Sequence, residues 1–329
     1  MLDDALGREV ADLLQVLNDG FPRVEEMTGA EARAAVSARS AVVTNLDDVR
    51  ATEDRVVPTG AGEVPVRIYH PHSDAPGADG ARPAVVFFHG GGFVFCSIES
   101  HDGFCRRVAR HTGAVVVSVD YRLAPEHAAP AAAEDAYAAT CWTHAEAAAL
   151  GIDADRIVVA GDSAGGNLAA VVALMARDRG GPALAGQVLL YPVIEPDFTS
   201  PSYVRFGEGH FNTRAAMEWY WTQYLGGHPD TTPLPEPVAY VVPSRASSLA
   251  DLAPAVVVTA GRDPLSSEGE AYARALRAAG TAVRHRHYPD LFHGFATIGP
   301  FAAAESAREL LWADISALVA RPDREEVSA

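Results

Sequence analysis

The chain has 329 residues, 48% hydrophobic and 21% charged, the composition of a folded globular protein with room for one large core or two domains. Its formal net charge of −17, with no lysine at all, argues against nucleic acid and against stable membrane association, because phosphates and anionic headgroups need a basic surface. Cys96, Cys105 and Cys141 cannot all pair and match no zinc spacing; with an acidic start and no membrane-length apolar run, the expected location is cytoplasmic.

Residues 1–50 read as a peripheral helical segment. Val10, Leu13, Leu14 and Leu17 recur at helical spacing, and Thr28-Gly29-Ala30-Glu31 fits a capping box that starts a second helix. Residues 55–59 and 64–70 alternate like a half-buried hairpin, and the Gly/Pro/Asp-rich stretch 71–83 is a loop. From there short apolar runs at 84–88, 114–119, 156–160, 187–191, 255–260 and 283–288 read as strands. Helical stretches are expected at 131–150, 164–178 and 267–279, with a last helix at 301–320. Apolar strands joined by helices indicate a mostly parallel sheet covered on both faces. Residues 193–240 interrupt this alternation, hold one helix around 214–225, and read as a lid-forming insertion. The core then comprises 51–192 and 241–320, followed by a polar, flexible tail at 321–329.

The chemistry-bearing signal is Gly161-Asp162-Ser163-Ala164-Gly165, between an apolar strand and the helix bearing Leu168, Val171, Val172 and Met175. Strand, sharp turn and helix are the setting a nucleophile elbow requires. A serine that merely caps a helix is the plain alternative. His89-Gly90-Gly91-Gly92 follows another strand and offers backbone N–H groups for a developing oxyanion. Both motifs fall at C-terminal strand ends, where open α/β sheets bind ligands. Of twelve histidines, His285 and His287 alternate along one strand face, whereas His293 lies past that strand. Asp263 follows the preceding strand, and the order Ser163, Asp263, His293 is that of α/β-hydrolases.

The runs His89-Gly90-Gly91-Gly92-Phe93, Asp120-Tyr121-Arg122-Leu123-Ala124-Pro125-Glu126-His127, Gly161-Asp162-Ser163-Ala164-Gly165-Gly166-Asn167, Asp263-Pro264-Leu265 and His293-Gly294-Phe295 together resemble the bacterial hormone-sensitive-lipase family (family IV) of carboxylesterases. The likeness covers roughly residues 55–318 and implies an α/β-hydrolase fold whose cap is built from the N-terminal helices and the insertion. It implies Ser163 as nucleophile, His293 as base, Asp263 as its orienter, and Gly90, Gly91 and Ala164 as the oxyanion hole. The segment 120–127 would buttress the glycine loop. One departure is visible: Ser266-Ser267 stand before Glu268 where the family usually has an Arg-Asp pair.

The expected activity is hydrolysis of short- to medium-chain esters through an acyl-enzyme, with no metal or organic cofactor. Phe93, Phe95, Phe211, Trp219, Tyr220, Leu265 and Phe292 are candidates for an apolar substrate pocket, although ordinary core packing explains each equally well. The resemblance also suggests a homodimer. Two other functions share these motifs. The same machinery cleaves N-acyl bonds in deacetylases and formamidases of similar fold. A non-catalytic small-molecule receptor is the second, and the presence of His293 speaks against it, since the plant gibberellin receptors have lost that histidine.

Overall fold

In the computed structural model, which describes residues 4–74 and 80–320, the β-branched runs form one eight-stranded sheet. In chain order the elements are α1 (Asp4–Gly20), α2 (Gly29–Ser37), β1 (Ala51–Thr59), β2 (Gly62–His70), β3 (Arg82–Phe88), α3 (Ile98–Thr112), β4 (Val115–Val119), α4 (Ala131–Ala145) and α5 (Ala147–Leu150). They continue with β5 (Ile152–Asp162), α6 (Ala164–Asp178), β6 (Gly186–Leu190), α7 (Pro201–Phe206), α8 (Arg214–Leu225), β7 (Ala255–Arg262), α9 (Ser266–Ala278), β8 (Val283–Phe292) and α10 (Glu305–Leu318). The tail at 321–329 and the middle of the 71–83 loop, residues 75–79, lie outside the described residues.

The sheet runs β1-β2-β4-β3-β5-β6-β7-β8. The β1–β2 hairpin is antiparallel and joins β4 antiparallel, while β4 through β8 pair in parallel. Alternate side chains of β3 show why the central strands read as unbroken apolar runs. Val86 and Phe88 pack on the face covered by α4, α6 and α9, and Val85 and Phe87 on the face covered by α1, α3 and α10. The parallel strands bring their C-terminal ends to one rim, and β3, β5, β7 and β8 there carry the four motifs.

Thr28 accepts from the Glu31 N–H and donates its own N–H to the Glu31 carboxylate at 2.8 Å, which closes the expected capping box at α2. Asn167 of α6 donates to the carbonyls of Val193 and Val241, at 3.0 and 3.1 Å, and so fastens both ends of the insertion to the core. The structure differs from the sequence expectation at three elements. α3 has no counterpart among the expected helices, the insertion contains α7 as well as α8, and the 131–150 helix breaks at Glu146. No helix among the described residues is long and apolar enough to cross a membrane.

Candidate active site

β5 ends at Asp162, and the chain reverses at Ser163, φ 56° and ψ −117°, into α6. A non-glycine residue rarely holds a positive φ, so the surroundings must impose the turn. The Ser163 N–H donates to the Leu190 carbonyl at 2.8 Å, and its carbonyl accepts from Val193 at 3.1 Å. A Cβ at Gly165 would overlap the carbonyl of Phe88, so only glycine lets β3 lie this close to the elbow.

Asp263 and His293 are the first residues beyond β7 and β8. His293 Nε2 lies 2.9 Å from Ser163 Oγ, and His293 Nδ1 lies 2.8 Å from Asp263 Oδ2. The other Asp263 oxygen accepts from the Leu265 N–H at 3.0 Å. The Tyr191 ring meets the His293 imidazole edge-on, 4.9 Å between centroids. Asp263 is fully buried, whereas Ser163 and His293 reach a cavity of about 170 Å³.

The glycine loop is held from below. Gly91 sits at φ 111°, and a Cβ there would overlap the Phe95 carbonyl. The Gly90 N–H donates to Asp162 Oδ1 at 2.8 Å, and the His101 ring of α3 lies 3.1 Å from the same oxygen. Burial works to raise the Asp162 carboxyl, but His101, His89 and the Gly90 N–H outweigh it and hold it below the usual range. Burial pushes His89 down to about 3, so its neutral ring donates from Nδ1 to the Gly90 carbonyl at 2.7 Å. That ring stacks on Tyr121 at 4.3 Å, and the Tyr121 hydroxyl donates to the His89 carbonyl. Ala124 adds a bond to the Phe93 carbonyl at 2.9 Å, so segment 120–127 lies against the loop as a support.

The expected donor set needs one correction. Gly90 has its N–H bound to Asp162 and is not free to meet an oxyanion, while Gly91 and Gly92 both line the cavity. Of the apolar candidates, Phe211, Tyr220 and Phe95 line the cavity. Four do not, and packing explains each. Phe93 stacks on Tyr224 at 3.8 Å within the core, Trp219 donates to the Met27 carbonyl at 3.2 Å, and Leu265 and Phe292 are buried among core side chains. Unforeseen wall residues are Phe21 and Val36 from the N-terminal segment, together with His101 and Asp162. Asp162 stood in the elbow motif itself. His101 was hidden because α3 was not read as a helix, although Ser97 with Ser100 and Gly113 mark its two ends.

Ser267 accepts from the Ser202 N–H at 3.1 Å, and Ser202 Oγ in turn accepts from the Ser267 N–H and donates to the Pro264 carbonyl. Of the two serines that stand where a charged pair was expected, Ser267 thus anchors α7 beside the acid, while Ser266 Oγ donates to Glu270 at 3.2 Å. Glu268 accepts from the Ile194 N–H at 2.9 Å, and burial raises its carboxyl well above the ordinary value.

Residues 85–297 match the family model for the alpha/beta hydrolase fold. The carboxylic ester hydrolase LipN of Mycobacterium tuberculosis is 46% identical over 261 residues, 77% of this chain and 66% of LipN. The carboxylesterase NlhH of the same organism is 39% identical over 309 residues, 92% of this chain and 94% of NlhH. The ethyl acetate hydrolase of Pseudomonas putida is 37% identical over 305 residues, 90% and 93% of the two chains. Among solved structures, the hyperthermophilic esterase of Pyrobaculum calidifontis superposes with a TM-score of 0.84 at 39% identity, over 97% of this chain and 99% of that one. The chain is an ester-hydrolysing enzyme and belongs to the hormone-sensitive-lipase family (family IV) of carboxylesterases in the α/β-hydrolase superfamily.

Proposed function

We propose that the chain hydrolyses short- to medium-chain esters with Ser163 as nucleophile, His293 as general base and Asp263 as its orienter. The observation that carries this reading is the unbroken hydrogen-bond line from Ser163 Oγ through His293 to Asp263, ending at a cavity. Ser163 attacks the ester carbonyl as His293 takes its proton, and Asp263 fixes the imidazole tautomer and stabilises the imidazolium. The oxyanion rests on Gly91 and Ala164, with Gly92 beside them in place of Gly90. His293 then protonates the leaving alcohol, and water hydrolyses the acyl-enzyme by the same steps.

The cavity of about 170 Å³ compares with the roughly 150 Å³ that hold a benzene-sized molecule, which favours small acyl groups. The relative named for ethyl acetate supports the same range. Residues 1–50 and 193–240 together act as the cap, a role supported by Phe21 and Phe211 both facing the cavity. A cytoplasmic location is supported by three free thiols, the absence of nucleic-acid binding by the acidic charge, and a homodimer by the family resemblance alone.

The test is hydrolysis of p-nitrophenyl esters from acetate to dodecanoate by wild type and Ser163→Ala. Turnover that peaks at short chains and falls on the order of a million-fold in the variant is expected. Comparable turnover by the variant sinks the assignment of Ser163.

A further inference from the structure

Asn212 lines the catalytic cavity together with Ser163 and His293, on the loop that joins α7 to α8. The cap side of the wall is otherwise apolar or aromatic, from Phe21, Val36, Phe211 and Tyr220. Asn212 is 7% exposed, and its Nδ2, itself buried, has no acceptor among the described residues. Polar neighbours in the same wall are already engaged. Thr297 Oγ1 donates to the Gly294 carbonyl at 3.1 Å, and His101 and Asp162 hold each other at 3.1 Å. A buried polar group without a partner is uncommon in folded proteins, and each calls for a reason. The loop does not supply one. Asparagine in a loop usually bonds to nearby backbone, but here the turns are closed by other groups. The Asn212 N–H donates to the His210 carbonyl at 2.9 Å, and the Arg214 N–H to the Gly207 carbonyl at 2.8 Å. Asn18 accepts from the Phe211 N–H at 2.8 Å on one side, and on the other Thr213 caps α8 by accepting from the Ala216 N–H at 3.1 Å. The backbone carrying Asn212 is therefore fixed from both directions, while its side-chain donor is desolvated and unused.

A donor held in this way at the wall of a reaction cavity suits a substrate that brings its own acceptor. We propose that Asn212 is a specificity-determining residue that selects short esters bearing a hydroxyl or keto oxygen, which its amide N–H binds. A half-turn of the amide exchanges Oδ1 and Nδ2, so the donor can be turned to the edge that meets the substrate. A plain alkyl ester leaves the amide unpaired and is penalised, whereas an apolar wall would separate a hydroxyl from a methyl only weakly. The oxygen lies on the acid or on the alcohol of the ester, and its chemistry toward Asn212 is the same. A cavity of about 170 Å³ leaves room for only a few carbons beside it. This inference rests on the ester-hydrolase reading of that cavity and names the substrate class.

The test measures kcat/KM on two matched series. The acyl series is methyl butyrate, methyl acetoacetate and methyl β-hydroxybutyrate, and the alcohol series is propyl, acetonyl and hydroxyethyl acetate. Wild type, Asn212→Leu and Asn212→Ala are compared, each checked for folding by circular dichroism. Asn212→Leu keeps the volume and removes the amide, and Asn212→Ala carries the test where the leucine does not fold. The readout is the ratio of oxygenated to plain ester in variant against wild type, so the intrinsic reactivity of each ester cancels. In one series that ratio should fall about tenfold or more, the cost of losing a hydrogen bond to a buried group. The series in which it falls identifies the side of the ester that carries the oxygen. Unchanged ratios in both series overturn the proposal, and rates that fall together for plain and oxygenated esters do so by marking Asn212 as structural. Wild-type turnover of methyl butyrate that Ser163→Ala abolishes keeps the ester-hydrolase reading standing whichever way the ratios move.

Discussion

At the scale of single residues, the division of labour around Ser163 follows from which groups are already hydrogen-bonded. Asp263 Oδ2 has only His293 to orient, so Asp263→Asn leaves an imidazole in the wrong tautomer. A loss of about 10⁴-fold in kcat is expected, with His293→Ala costing more; single-turnover kinetics check the order. Asp162 acts one step back, through the Gly90 N–H and the His101 ring. Asp162→Asn weakens a charge-assisted bond worth about 1.5 to 3 kcal/mol, so kcat should fall roughly 10- to 100-fold with KM nearly unchanged. A raised KM with kcat unchanged would place Asp162 in substrate binding instead. Ser163, Asp263 and His293 were legible in the sequence because each directly follows a strand, where few residue types have a reason to recur. Gly90 was misassigned because the partner that takes its N–H, Asp162, sits 72 positions away.

At the scale of elements, legibility depends on whether the buried side chains of a helix are apolar. α6 and α8 agree with the expected bounds residue for residue: α6 is a mostly apolar run buried from Ala164 to Ala176, and α8 buries Ala216, Met217, Tyr220, Trp221, Tyr224 and Leu225 at helical spacing. α3 escaped because its inward face mixes Phe104 and Val108 with buried His101, Asp102 and Arg106, which breaks the helical apolar period. Those polar groups are buried only because partners from distant strands meet them, as Arg67 and Tyr69 of β2 meet Asp102. α7 has six residues, too short for periodicity to show. Its contribution lies in the Ser202–Ser267 exchange and the Ser202 bond to the Pro264 carbonyl, next to the acid. Losing that bond loosens the turn that carries Asp263. Ser202→Ala is therefore expected to lower kcat about 3- to 10-fold while KM stays within about twofold, read by steady-state kinetics. A change confined to KM would show that α7 shapes the cavity rather than the acid.

For the molecule as a whole, the parallel order of the sheet was legible from strand composition, while the joining of insertion to core rests on pairings that no local pattern reveals. Glu268 is such a pairing: its buried carboxyl holds the Ile194 N–H at the start of the insertion. Because burial raises its folded-state value, its stabilising contribution is complete below the ordinary glutamate value of 4.5 and is lost as pH rises through the raised one. Glu268→Gln keeps an acceptor and removes that dependence. Its melting temperature should gain on wild type as pH increases from about 5 to 9, and a pH-independent gap would show that Glu268 does not titrate in this way. The span of chain between the reacting groups has a further meaning. Ser163 and His293 lie 130 positions apart, and His293 follows the outermost strand of the sheet. On the proposed triad, a chain still emerging from the ribosome, complete through Asp263, would own its nucleophile, its acid and its glycine loop, yet lack a base. Hydrolytic competence therefore arrives only when β8 docks, which makes the appearance of activity during refolding a clock for the last step of sheet assembly.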